Sequence, residues 1–127
     1  MGEERQIILK SEEKPRKREK EEELAWLCRC FGFEDNDLGQ QFLLEILKAE
    51  RREKGVGSLV LSSKMHVTRG GAVYHLNRLM ESGLVVRKGR EYELRAPNLE
   101  ETLEEVEEDM LRMMKRMRAI AKELDEE

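Results

Sequence analysis

The chain has 127 residues, of which 41% are charged and 39% are hydrophobic, and its net charge is −4. This length suits one domain, and the hydrophobic fraction is low for a compact globule, so an elongated or flexible part is expected. No apolar run approaches the ~20 residues of a membrane span, and no signal-peptide core is present. We therefore expect a soluble, cytoplasmic protein without a membrane partner. The abundance of Lys, Arg and Glu over Asn and Gln is typical of thermophile proteins.

The charge is unevenly distributed along the chain. Residues 1–22 are balanced, residues 23–47 carry a net −4, residues 48–96 a net +6, and residues 97–127 a net −6. A basic middle between acidic flanks is compatible with a nucleic-acid-binding core, although charge segregation alone does not identify one.

The N-terminal part of the chain predicts an arm followed by a helix. Residues 1–19 are a mixed-charge run and are expected to form a flexible arm. The stretch "EEELAWLCRCFGF" then places Leu24, Leu27 and Phe31 at helical spacing, with Gly32 as a stop signal.

Two further apolar segments follow. In "LGQQFLLEILKAERR", Leu38, Phe42 and Ile46 share one stripe of a second amphipathic helix. The short segment "SLVLSSKM" is compatible with either a helix or a strand, because its pattern has neither period clearly.

The segment "VTRGGAVYHLNRLMESGL" predicts another amphipathic helix. Thr68 is a good N-cap, and Ala72, Leu76 and Leu79 form the buried stripe before the stop at Gly83. The first turn of this helix contains two consecutive glycines, each of which costs roughly 1 kcal/mol relative to alanine.

A β-hairpin is predicted next, over "LVVRKGREYEL". Leu84 and Val86 are taken as the inward positions of the first strand and Tyr92 and Leu94 as those of the second, around a turn at residues 88–89. The domain that begins at residue 20 is expected to end at residue 96.

Residues 97–127 predict a long helix with the clearest period in the chain. Its apolar residues step by 4, 3, 4, 3, 4, 3 and 4, an a/d heptad pattern that indicates a dimer seam. Methionines at this spacing are more often seam than ligand pocket. The eight residues of this heptad stripe are Leu99, Leu103, Val106, Met110, Met113, Met117, Ile120 and Leu124.

Three helices, a hairpin and a trailing helix, in this order, are typical of a winged helix-turn-helix. The chain resembles the ArsR-like winged-helix regulators over residues 38–95, most closely at "VTRGGAVYHLNRLMESGLVVRKGREYELR". The resemblance implies a mainly α fold with a β-hairpin wing and a long C-terminal dimerisation helix. It also implies a recognition helix at "VTRGGAVYHLNRLME". The chain departs from the family at "SLVLSSKMH", which lacks the glutamate and the turn glycine of the positioning helix.

The two glycines gain an explanation if their helix end points at DNA. Free N–H groups and the positive end of the helix dipole favour phosphate, and missing side chains allow close approach. The alternative is tight packing of a neighbouring helix against the glycines. Arg and Asn side chains suit guanine and adenine edges, and cations at a hairpin tip suit phosphates. The expected DNA-contacting residues are Thr68, Arg69, Gly70, Gly71, Val73, Tyr74, Asn77, Arg78, Arg87, Lys88 and Arg90.

Other chemistry-bearing residues favour structural roles. Cys28 and Cys30 resemble a Cys-x-Cys metal box, but residues two apart on a helix point about 200° apart, so free cysteines and no metal are expected. His75 is expected to be a packed, hydrogen-bonded residue. The sequence contains no catalytic constellation, so we expect neither enzyme activity nor a cofactor.

The sequence therefore predicts a homodimeric, sequence-specific transcriptional regulator that binds double-stranded DNA, and the family resemblance implies a repressor. The alternative is a winged-helix module for protein–protein interaction within transcription or replication machinery. A third hypothesis is a sensor whose thiols or dimer seam bind an effector. The sequence does not identify this effector.

Overall fold

The computed structural model describes residues 20–35, 37–52 and 55–127, so the predicted arm lies outside the described residues. The described chain is mainly helical and carries one small three-stranded antiparallel sheet. In chain order the elements are α1 (Lys20–Cys30), α2 (Leu38–Glu50), β1 (Val56–Gly57), α3 (Ser58–Met65), α4 (Arg69–Glu81), β2 (Val85–Lys88), β3 (Glu91–Leu94) and α5 (Leu99–Asp125).

The core forms where α2 and α4 bury their apolar faces against each other and against the sheet. The stripe predicted for α4 is confirmed, because Ala72, Leu76 and Leu79 are completely buried. In α2, Phe42 and Ile46 are also completely buried, whereas Leu38 packs only partly against the core.

The ambiguous segment before α4 is a helix, and a short strand precedes it. The strand β1 pairs with β3 through Val56 opposite Tyr92 and Gly57 opposite Glu91, so the strand order is β1-β3-β2. The sequence did not predict β1, because two residues are too few to show an alternating pattern.

The hairpin is confirmed, but its register differs by one residue from the prediction. The turn is Gly89-Arg90 rather than residues 88–89, with a positive φ of 64° at Gly89, the arrangement of a type II′ turn. Val85 is buried while Val86 is partly exposed, so the predicted inward position of Val86 is wrong. The reason is that Leu84 reaches the core from the turn after α4, and the strand alternation begins only at Val85.

Helix α1 contributes the edge of the core. Its fully buried residue is Cys28, while Leu24 and the adjoining Phe31 pack partly against the core. Leu27, the remaining residue of the predicted stripe, instead lines a groove between α1 and α5. The chain leaves the helix through Gly32, which has a φ of 92°.

Helix α5 is attached to the domain through its first three turns. The Asn98 side chain caps it by accepting from the Glu101 amide at 2.8 Å, and the buried Thr102 hydroxyl accepts from the Ala96 amide at 3.0 Å. Arg95, next to β3, pairs with Glu105 at 3.1 Å and with Asp109 at 2.6 Å. From residue 111 to the end, every residue is exposed.

The turn between α3 and α4 supplies a stability prediction. His66 ends α3 in the left-handed conformation with a φ of 57°, at the turn where the sequence lacks the glycine of the resembled family. Because a residue with a Cβ is strained there, His66→Gly should raise the free energy of unfolding by about 1 kcal/mol in urea denaturation. The control Ser63→Gly, in the last turn of α3, should lower it by about 1 kcal/mol. A destabilising effect of both changes would mean that the imidazole itself stabilises the turn.

Candidate nucleic-acid interface

The N-terminal end of α4 is exposed and capped as predicted. Thr68 precedes the helix in an extended conformation, and its hydroxyl accepts a hydrogen bond from the Gly71 amide at 2.9 Å. Arg69 and Gly70 follow on the surface. The first amides of a helix have no intrahelical partner, so such an end attracts anions.

The two glycines differ in their surroundings. A Cβ at Gly70 would meet no described atom within 4 Å, whereas one at Gly71 would lie 3.2 Å from the capping oxygen of Thr68 and 3.6 Å from the Cβ of Val67. Neither glycine has a positive φ. The contacts at Gly71 therefore come from its own cap, and no described residue of another helix packs closely on either glycine.

The outward face of α4 contains most of the residues that were predicted to contact DNA. Arg69, Gly70, Tyr74 and Asn77 are exposed, and Val73 is partly exposed. Tyr74 is a large aromatic ring with 59% exposure. An aromatic ring, an amide and a guanidinium on one accessible helix are able to contact base edges and sugars.

Arg78, another predicted DNA contact, is engaged by residues outside α4. Its guanidinium lies 2.6 Å from Asp37 Oδ2 and 4.5 Å from the centre of the Phe33 ring, and its side chain is only 27% exposed. The same Asp37 carboxylate caps α2 by accepting from the Gly39 amide at 2.8 Å. Arg78 therefore ties α4 to the start of α2, and it is not available to a ligand without breaking this pair.

His75 is packed beneath the outward face, as expected. Its ring centre lies 5.1 Å from those of Phe42 and Tyr74. The expected hydrogen bond is missing, because the buried Nδ1 has no partner among the described residues and lies 3.8 Å from Asp37 Oδ1. Burial lowers the pKa of His75, and the negative charge of Asp37 opposes this shift.

The tip of the hairpin brings together the three predicted cations. Arg87, Lys88 and Arg90 are all exposed. Arg87 Nε donates to the Gly89 carbonyl at 2.9 Å, and Lys88 Nζ lies 3.2 Å from Glu93 Oε1. Arg90, like Arg69 on α4, has no ion pair within the described part of the chain.

The heptad stripe of α5 is divided into two halves by its surroundings. Val106 is buried, Leu99 and Leu103 pack partly on the core, and Met110 lines cavities beside α1. The other four residues are between 50% and 63% exposed. These four are Met113, Met117, Ile120 and Leu124.

Two residues of α3 form part of the surface that the sequence did not single out. Leu59 and Val60 are 60% and 58% exposed. Their apolar character fitted either a buried helix or a buried strand, so only the packing of α3 on α4 reveals that they face outward.

The cysteines show no geometry of a ligand pair. Cys28 is buried, and burial, reinforced by the charge of Asp37, raises the pKa of its thiol to about 12. Cys30 is partly exposed. Over residues 20–35, 37–52 and 55–127, no group of three His, Cys, Asp or Glu side chains is arranged to hold a metal ion.

Comparisons with models of protein families, with curated proteins and with solved structures found no match to this chain. No helix in the described ranges is long and apolar enough to cross a membrane. The function is therefore inferred from the side chains of this chain and their geometry.

The position of His75 predicts a pH dependence of stability. Because its folded pKa is lowered from 6.5, the unfolded chain binds more protons below that value, and stability falls with acidification. Between about pH 7.5 and pH 5, the free energy of unfolding should decrease less in His75→Phe than in the parent protein. The control His66→Asn should keep the decrease of the parent. Equal decreases in all three proteins would show that the attraction of Asp37 cancels the effect of burial.

Proposed function

We propose that the protein is a winged helix-turn-helix regulator that binds double-stranded DNA as a homodimer. In this proposal α4 is the recognition helix, α3 positions it, and the β2–β3 hairpin is the wing. The family resemblance of the sequence implies repression by blocking access to a promoter.

The order of the elements supports this fold assignment. The succession α2, β1, α3, α4, β2 and β3, with the sheet order β1-β3-β2, suits two helices followed by a two-stranded wing. The helices α3 and α4 pack directly on each other across the His66 turn.

The observation that carries the DNA proposal is the bare surface at Gly70. This glycine has no positive φ, and no described atom would clash with a Cβ placed on it. Neither backbone conformation nor packing within the described chain accounts for a residue that weakens the helix. Close approach of a phosphate or base edge to the helix end does account for it.

Two exposed cations support the same surface. Arg69 at the start of α4 and Arg90 at the hairpin tip are exposed and have no carboxylate partner in the described chain. Phosphate contacts of this kind supply most of the salt-dependent affinity of a DNA-binding protein. With Arg78 engaged by Asp37, base reading falls to Arg69 and Asn77.

The exposed apolar residues Leu59 and Val60 favour the second candidate function, a protein-interaction module. Exposed apolar side chains on a helix suit a protein surface better than a phosphate backbone. Affinity for random duplex DNA, measured against salt concentration, separates the two candidates. A steep negative slope supports DNA binding, whereas negligible binding at low salt supports the protein module.

A charge-removal series tests the contact residues. Arg69→Ala and Arg90→Ala should each weaken DNA binding, and a phosphate contact should reduce the salt slope by about one unit per protomer. Asn77→Ala should instead relax the preference at one base position by roughly 1–3 kcal/mol. The matched control Lys122→Ala removes an exposed cation from α5 and should leave the slope unchanged. If Lys122→Ala has the same effect as Arg69→Ala, the binding reflects overall charge and not this surface.

A second series tests the glycine. Gly70→Ala should raise the free energy of unfolding by up to about 1 kcal/mol, because it fills open space on a helix. Gly70→Leu should weaken binding to every DNA sequence by keeping the helix end away from the duplex. The control Ala119→Leu adds bulk to an exposed position of α5 and should leave DNA affinity unchanged. Normal affinity of Gly70→Leu would contradict close approach at this position.

A further inference from the structure

An apolar groove of about 550 Å³ runs between α1 and α5. Trp26, Leu27 and Phe31 line one side of it, and Leu103 and Met110 line the other. The groove leads along α5 toward Leu111, where the helix leaves the domain and its apolar residues become exposed. The apolar surface of the groove is therefore continuous with the exposed half of the heptad stripe.

The spacing of the stripe is self-complementary in one direction. When two copies of α5 run antiparallel about the point between residues 111 and 112, every stripe residue of the first half faces one of the second half. Leu99 then faces the partner's Leu124, Leu103 the partner's Ile120, Val106 the partner's Met117, and Met110 the partner's Met113. In each pair one residue is packed on or beside its own domain and the other is exposed.

The charges of α5 favour the same direction. Residues 99–111 contain seven carboxylates and no cation, whereas residues 112–122 contain five cations and no carboxylate. Antiparallel pairing places the acidic segment of one copy beside the basic segment of the other, and each copy contributes both. Parallel pairing places seven carboxylates beside seven others, so like charges repel along the first half of the seam.

We infer that the groove between α1 and α5 is occupied by the second half of α5 from another copy of this chain, docked antiparallel and reciprocally. The exposed residues Met113, Met117 and Ile120 of each copy enter the groove of the other. Two copies of α1 then flank two copies of α5. This inference specifies the dimer of the proposed function, but it does not depend on DNA binding.

Cross-linking between two single-cysteine partners tests the direction. Both chains carry Cys30→Ser, since Cys30 lines the groove, and retain Cys28, whose buried thiol is unreactive. One chain carries Leu103→Cys and the other Ile120→Cys. These positions are about 25 Å apart along one helix, so a short bis-maleimide cannot join them within a chain.

The antiparallel seam predicts that mixed chains cross-link after subunit exchange and that neither chain cross-links with itself. Efficient linkage of Ile120→Cys to a second Ile120→Cys would establish a parallel seam and overturn the inference. Absence of linkage in all three samples, with circular dichroism showing folded protein, would overturn it as well.

Sedimentation tests whether the exposed stripe carries the assembly. Met117→Lys introduces a charge into the seam and should convert the dimer to a monomer, while Ala119→Lys introduces the same charge on the opposite side of the helix and should leave a dimer. A monomeric parent protein, or a Met117→Lys variant that stays dimeric, would contradict the inference. Because no DNA is present, these results are distinguishable from a failure of the DNA-binding proposal.

Discussion

The orientation of α4 depends on one constraint, the complete burial of Ala72, Leu76 and Leu79 against α2 and the sheet. Burial of three apolar side chains contributes several kcal/mol, at roughly 1.5–3 kcal/mol for each leucine, and it leaves one rotation of the helix available. That rotation exposes Tyr74 and Asn77 on the far side, while Arg69 is exposed because it lies at the first position of the helix. The helical period of the apolar residues fixes which face of α4 is buried, and the opposite face becomes the candidate DNA surface.

The sequence did not predict the ion pair of Arg78 with Asp37. Arg78 lies 100° or more around the helix from each residue of the buried stripe, so helical period alone gives it as outward, and its partner Asp37 is distant in sequence. Asp37 carries a local signal as the cap of α2, but its second role depends on how closely α2 and α4 pack. Ion pairs formed across a packed interface have no periodic signature. Thr68, whose capping role is local, was predictable from the sequence.

The elements of the fold were likewise predictable where they depend on local sequence, and not where they depend on tertiary contacts. The sequence predicted the start of α4 at Thr68, because caps are local chemistry. It left α3 undecided, missed the two-residue strand β1, and misplaced the hairpin turn by one residue, because each of these features depends on the neighbours of the segment. The pairing of β1 with β3, for example, joins Val56 to Tyr92.

In helix α5 the heptad pattern is unambiguous, but it does not determine in which direction two copies of the helix pair. The heptad period predicts a partner for all eight stripe residues, yet the domain itself covers part of the first half, where Val106 is buried and Leu99 and Leu103 pack partly on the core. In a parallel seam, each stripe residue that is already packed on its own domain would have to contact the same residue of the other copy. An antiparallel seam matches each of them with an exposed residue, and it brings the acidic segment to the basic one. The burial of one half of the stripe by the domain therefore favours antiparallel pairing, whereas the heptad spacing alone does not distinguish the two directions.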